Sequence, residues 1–205
     1  MIARGGYTWI LGTLLISAVI LLFYLEVRVS VLLAISIILL ISDCFFLLFF
    51  RDPERRIARG IVSPADGRIL AIYDRSGLLR IGIFMSVTDV HVNRAPLNGR
   101  VISVTHKPGS FIPAYRQESV RNERLITTMN TNIGRIKVIQ IAGILAKRIV
   151  PYIKQGKELK KGERIGIIQF GSRVDLIMPS NKIRTLVKKG QRVKAGSTTI
   201  AELKR

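Results

Sequence analysis

Residues 164–179 read Arg164-Ile-Gly-Ile-Ile-Gln-Phe-Gly-Ser-Arg-Val-Asp-Leu-Ile-Met-Pro179. Two short apolar runs flank a Gly-Ser pair, and runs of this length bounded by Gly and Pro are strands joined by a turn. The same pattern extends outward, in Gly67 to Tyr73, Arg80 to Met85, Gly99 to Val104 and Arg135 to Ile141. Between these runs, Ala65-Asp66-Gly67, Leu97-Asn98-Gly99 and Lys107-Pro108-Gly109 supply turns. The chain from 51 to 205 is therefore expected to form a mainly β, antiparallel domain, with one short helix around Ala114 to Arg121.

Upstream of residue 51 the pattern changes. Trp9 to Leu25 is a 17-residue stretch without charge, and Val29 to Phe50 is a second of 22 residues interrupted only by Asp43. Each is about long enough to cross a ~30 Å hydrocarbon core as a helix. A cleaved signal peptide is the competing reading, but no small-residue cleavage site follows the first run. The connection Glu26-Val27-Arg28 makes the two spans, about 9–25 and 29–50, a hairpin, with both of its ends on one side. Arg51, Arg55, Arg56 and Arg59 follow directly, so the positive-inside rule places the hairpin in the cell membrane with the β domain facing the cytoplasm. An ionised carboxylate in a span is costly. Asp43 is accordingly expected to be protonated, to reach headgroups from near an end, to find a partner in an oligomer, or to be a tolerated polar position.

Charge follows the same division. Of 33 Lys and Arg and 13 Asp and Glu, residues 1–50 hold two of each sign, so the remaining 155 residues carry the whole net charge of +20. A helix-turn-helix, RNA-recognition or zinc pattern is absent from the sequence, and a domain tied to a bilayer fits attraction to an anionic membrane surface better than to nucleic acid. One Cys excludes a disulfide within the chain, and two His with that Cys leave too few soft ligands for a structural zinc site.

Groups able to do chemistry are few. A general base near neutral pH is His91, His106 or a carboxylate with a raised pKa. Met85 to Pro96 gathers Asp89, His91, Asn93 and Arg94, and alternation along an extended chain puts Asp89, His91 and Asn93 on one face. Ser63-Pro-Ala-Asp-Gly67 is a turn that fixes the carboxylate of Asp66 between two strands, Asp being equally an ordinary turn residue. Gly-Ser occurs at 109–110, 171–172 and 196–197. The first and last sit in loop-like contexts, whereas Gly171-Ser172 interrupts strand character and presents a hydroxyl beside a glycine carbonyl.

At this point the residues match a family. Phe170-Gly-Ser-Arg-Val-Asp175, Ser63-Pro-Ala-Asp-Gly67, His91-Val-Asn-Arg-Ala-Pro96, Lys107-Pro-Gly-Ser-Phe111, Asn122-Glu-Arg124 and Gln140-Ile-Ala-Gly143 together resemble the short form of phosphatidylserine decarboxylase proenzymes. Archaeal relatives in that family would act on archaetidylserine. The resemblance covers essentially 51 to 205, in order.

It implies self-cleavage at Gly171-Ser172 into chains 1–171 and 172–205 that stay together as a heterodimer. Ser172 would attack the Gly171 carbonyl, and after loss of its α-proton and hydrolysis would become a pyruvoyl group, the only cofactor, with no metal. That group would capture the serine-headgroup amine of the phospholipid and act as the electron sink for decarboxylation to the ethanolamine lipid. By carry-over, Asp66 and His91 are the orienting group and the base, an arrangement that activates hydroxyl nucleophiles elsewhere. His91 is also the best acid for reprotonation, and His106 is held in reserve as structural. Longer relatives carry a second His three residues after the first, and here that place is Arg94. Arg94 and Lys107 are candidates to hold the lipid phosphate. A competing class reads Val187 to Thr198 as part of a biotinyl or lipoyl-type module, making the protein a membrane-anchored adaptor or carrier without catalysis.

Overall fold

The computed structural model describes residues 1–110, 112–113, 121–143, 148–169 and 172–204. It divides into two units, Met1–Pro53 and Glu54–Arg205. Of the short helix expected at 114–121, all but Arg121 lies outside the described residues, as does Gly171.

The first unit is a pair of helices, α1 (Tyr7–Val27) and α2 (Ser30–Phe49). At 1.5 Å per residue each rises about 30 Å. The chain reverses at Arg28, which takes a left-handed φ of 57° while its amide donates to the Tyr24 carbonyl. Apolar side chains point outward: Leu15 is 66% and Ile38 62% exposed, whereas Ser17, Ser36 and Asp43 are buried between the helices. A water-soluble helix pair would sort its residues the other way, so the unit is built for an apolar surround. The Ser17 hydroxyl donates to the Ser36 carbonyl at 3.2 Å, and the Thr13 hydroxyl donates to the Asp43 carboxyl. Asp43 thus meets a partner on the neighbouring helix through Oδ1, while its Oδ2 is buried without a hydrogen-bond partner among the described residues. At the open end, Ala3 donates to the Phe50 carbonyl and Asp52 to that of Met1, both at 2.7 Å, so the two ends of the hairpin meet.

The second unit is the mainly antiparallel β domain that the alternating pattern predicts. Its strands among the described residues are β1 (Ile61–Val62), β2 (Gly67–Arg75), β3 (Leu78–Met85), β4 (Val92–Arg94), β5 (Gly99–Lys107), β6 (Arg124–Thr131) and β7 (Gly134–Ala142), then β8 (Arg148–Pro151), β9 (Glu158–Leu159), β10 (Arg164–Gln169), β11 (Ser172–Pro179), β12 (Ile183–Thr185), β13 (Arg192–Val193) and β14 (Thr199–Leu203). Eight form one sheet in the order β13-β2-β3-β11-β7-β6-β5-β9; β4-β10-β8 and β1-β14-β12 form two small sheets. Ile81, Ile83, Val138, Val174, Leu176 and Met178 face the core from adjacent strands of the large sheet and are at most 1% exposed. Each such side chain contributes about 1.5–3 kcal/mol.

Strand β11 lies at the centre of that sheet. Ser172 to Pro179 pair with Met85 to Leu78 on one side, and Ser172 to Ile177 with Ala142 to Lys137 on the other. Two of its core-averted residues are charged yet buried: Asp175 is fully buried and takes hydrogen bonds from Arg173, at 2.6 Å, and from Arg80. Gly82 makes room for this cluster, since a Cβ there would stand 3.0 Å from Asp175 Oδ1 and 3.1 Å from an Arg173 nitrogen.

Candidate active site

The chain leaves the small sheet at Gln169, the last residue of β10, and enters the large one at Ser172, the first of β11. Ser172 therefore stands at a crossover between sheets. It is fully buried, its backbone is paired to Met85 and to Ala142, and its hydroxyl donates to the Met85 thioether sulfur at 3.3 Å. A thioether is a weak acceptor, so the hydroxyl proton is held loosely.

The same sulfur is approached by Asn93 Nδ2 at 3.6 Å, and Asn93 Oδ1 accepts from Gln140 Nε2 at 2.8 Å. Asn93 and Gln140 are both fully buried. Gln140 Oε1 is buried without a hydrogen-bond partner among the described residues, which leaves an acceptor in reserve beside the site. Asn122 donates to the carbonyls of Ala142, at 2.7 Å, and Ile112, at 2.6 Å, tying the loop around Ile112 to the strand next to Ser172.

His91 is fully buried just before β4, and its Nδ1 lies 2.9 Å from the Asp89 carbonyl oxygen. A carbonyl can only accept, so Nδ1 carries the proton and Nε2 is the basic nitrogen of the neutral ring. Asp89 is itself fixed, its carboxylate accepting from the Ser86 amide at 2.8 Å where β3 ends.

Asp66 sits in the turn before β2, only 7% exposed. Its Oδ1 accepts from the Ala195 amide at 2.7 Å and its Oδ2 from Arg55 at 2.8 Å. Burial raises the carboxyl above its ordinary value; the Ala195 amide and the Arg55 charge pull it part of the way back, and nearby Asp89 pushes it up. Gly67 makes this turn possible: its φ is 143°, and a Cβ there would stand 2.0 Å from the Phe84 carbonyl oxygen. The Arg94 amide donates to the Pro64 carbonyl at 2.9 Å, which brings the Ser63–Gly67 and His91–Pro96 segments side by side.

The remaining candidates are placed differently. Arg94 is 5% exposed and donates to the Gly162 carbonyl at 3.1 Å. Lys107 is exposed at the end of β5, three strands from β11 and so about 14 Å across the sheet. His106 pairs with Glu123 at 2.9 Å on the surface, a structural contact. No cluster of three His, Cys, Asp or Glu fit to hold a metal occurs among the described residues. Met85 is the contact that sequence reading missed. Alternation marks it as one more core residue, and nothing local shows that its sulfur lies against Ser172.

A family model described as phosphatidylserine decarboxylase matches residues 43–201. The phosphatidylserine decarboxylase proenzyme of Streptomyces coelicolor is 47% identical over 201 residues, covering 97% of this chain and 91% of its own. That of Thermobifida fusca is 42% identical over 200 residues, covering 97% and 91%. A provisionally named archaetidylserine decarboxylase proenzyme of Methanosarcina barkeri is 38% identical over 208 residues, covering 100% of both chains. The matches lend nothing to an adaptor or carrier reading. Since they run through both motif segments and the strand that Ser172 opens, the chain belongs to the phosphatidylserine decarboxylase family.

Proposed function

We propose that this protein decarboxylates a serine phospholipid, phosphatidylserine or its archaeal ether counterpart, to the ethanolamine phospholipid and carbon dioxide, after cutting its own chain between Gly171 and Ser172. The observation that carries the reading is the family match across nearly the whole chain, joined to a buried serine that opens the central strand. The headgroup reacts identically whether the tails are acyl or isoprenoid.

In the cut, the Ser172 hydroxyl attacks the Gly171 carbonyl and moves that acyl group from nitrogen to oxygen. Loss of the Ser172 α-proton then expels the Gly171 carboxylate, and water replaces the nitrogen, which leaves as ammonia. The residue that remains is a pyruvoyl terminus, and the site suits it: Ser172 is fully buried, and pairing on both sides of β11 holds the new chain end where the serine stood. A pyruvoyl group supplies a carbonyl that captures the headgroup amine and a conjugated sink for the electrons left by carbon dioxide.

The chain's own side chains supply the rest. His91, with Nε2 basic, takes a proton during maturation and returns one to the substrate carbon. Asp66, held by Arg55 and Ala195 beside the His91 segment, orients the site. Met85, Asn93 and Gln140 fix the floor beneath Ser172. Lys107 shares the core-averted face of Arg173, opposite the Ser172 side chain, so it is set apart from the reacting group, and Arg94 first secures the Gly162 loop.

The length and apolar composition of the two helices support an anchor in the cell membrane, and the positive-inside rule, applied to the arginines that follow, supports a cytoplasmic catalytic domain. After cleavage, residues 172–205 keep β11 between β3 and β7, β14 against β1 and β13 against β2, so the two chains remain a heterodimer without a covalent link.

Intact mass measurement of active protein is expected to give two chains, the smaller spanning 172–205 and lighter by one ammonia than a serine-started fragment. One unbroken, active polypeptide without a carbonyl terminus overturns the proposal. For His91→Ala, maturation is expected to be largely lost, and turnover of any matured fraction to fall by roughly 10²–10⁴. His91→Asn, whose Nδ2 keeps a donor near the Nδ1 position for the Asp89 carbonyl, should fold and still fail. Normal cutting with normal turnover in both variants would remove His91 from either role.

A further inference from the structure

The eight-stranded sheet has two faces, and one of them packs on the core. The register of β2, β3, β11, β7, β6 and β5 defines which side chains occupy the other. Across that face, exposed Arg68, Arg75, Lys107, Arg135 and Lys137 share the surface with Tyr73, Leu78 and Ile177. Among the described residues of those six strands, its one carboxylate is Asp175, fully buried and held by Arg80 and Arg173. On the neighbouring edge strand β9, exposed Glu158 pairs with Arg100 at 3.9 Å, and Arg68, Arg75, Lys107, Arg135 and Lys137 outnumber that one exposed acid.

At one end the face dips into a depression of about 360 Å³, lined by Tyr73, Arg75, Leu78, Arg80 and Ile177. Leu78 pairs with Pro179, at the far end of β11 from Ser172. Seven residues of strand separate the two, about 23 Å, so this surface is distinct from the reaction site.

We propose that this outer face docks on the headgroups of anionic phospholipids, drawing the catalytic domain down onto the bilayer and raising the local concentration of its own anionic substrate. Arginine and lysine stems lie along apolar surface while their charged ends reach phosphates, and Leu78, Tyr73 and Ile177 enter the headgroup zone between them. A second copy is disfavoured, because two-fold pairing would set the same cations against each other. Nucleic acid is disfavoured because single strands need successive aromatic platforms, and Tyr73 is the one exposed aromatic at these positions. The inference rests on the membrane reading of the two helices and not on the chemistry at Ser172.

The test uses the full chain carrying Cys44→Ser, which removes its one cysteine, and Leu78→Cys labelled with an environment-sensitive dye. The protein is placed in lipid nanodiscs of phosphatidylcholine, with or without added phosphatidylglycerol. A blue shift and quenching by spin-labelled lipid are expected only with phosphatidylglycerol, and both should vanish at high salt or with Arg75→Glu, Arg135→Glu and Lys137→Glu combined. Each basic residue near the surface is worth roughly fivefold in lipid partitioning, so the unlabelled triple variant should raise KM for substrate in anionic discs at least tenfold, with kcat unchanged. A dye that stays in water while the chain remains in anionic discs overturns the docking face and leaves the spanning helices intact. A shift produced by RNA in place of phosphatidylglycerol, or by self-association in neutral discs, overturns it as well.

Discussion

Ser172→Ala is expected to abolish both self-cleavage and decarboxylation, leaving one chain of 23.0 kDa. Removal of the hydroxyl takes away the atom that must accept the acyl group, and nothing near it replaces that atom. Ser172 is fully buried, and its hydroxyl neighbours a thioether, which has no proton to give and cannot act as an acyl acceptor that later eliminates. The substitution removes one oxygen and no packing contact beyond the weak hydrogen bond to Met85. Stability should therefore change by no more than about 1 kcal/mol. Denaturing gels and thermal melts of the same preparation separate the two effects: an uncut, inactive and stable chain is the expected result. Efficient cutting in Ser172→Ala would remove the nucleophile assignment and with it the origin proposed for the carbonyl terminus.

Asp175→Ala carries the largest expected cost in stability. The carboxylate is fully buried in the central strand, with Arg173 almost as deep and Arg80 one-third exposed. Its loss leaves the Arg173 guanidinium in the sheet without its counter-charge, and breaking a buried pair in this way typically costs 3–5 kcal/mol. For a chain of this size that is about 10 °C or more in Tm. Because Arg173 follows Ser172 directly, maturation should slow as well, since β11 begins at the reacting residue. Adding Arg173→Leu to Asp175→Ala should recover most of the stability, because it removes the stranded charge, while Arg80 can turn toward solvent. A melting temperature unchanged in Asp175→Ala would show that the cluster contributes little to the fold.

The two readings of the chain were not equally legible. The helical hairpin follows from uninterrupted apolar runs whose length matches a bilayer, and length is a local property. The β domain follows from alternation and turn residues, which are also local. Sequence could not show which group Asp43 meets, because Thr13 is thirty residues away and reaches it only when the helices lie side by side. Neither could it show Met85 against Ser172, a contact across 87 residues that depends on β3 being the neighbour of β11. Arg173 and Asp175 belong to the family motif by their spacing, but their partnership with Arg80 needs the same pairing. The helix expected near 114–121 and the Gly171 carbonyl lie outside the described residues.

From sequence alone came the membrane-length helices, the strand-rich domain and the residues able to do chemistry, since composition and short-range periodicity report how each segment meets its solvent. Tertiary structure decided which strand stands at the middle of the large sheet, which sulfur touches the reactive hydroxyl and which face gathers an excess of positive charge. Those outcomes depend on register between segments far apart in the chain, where a shift of one residue turns every side chain to the opposite face. No local pattern carries that information.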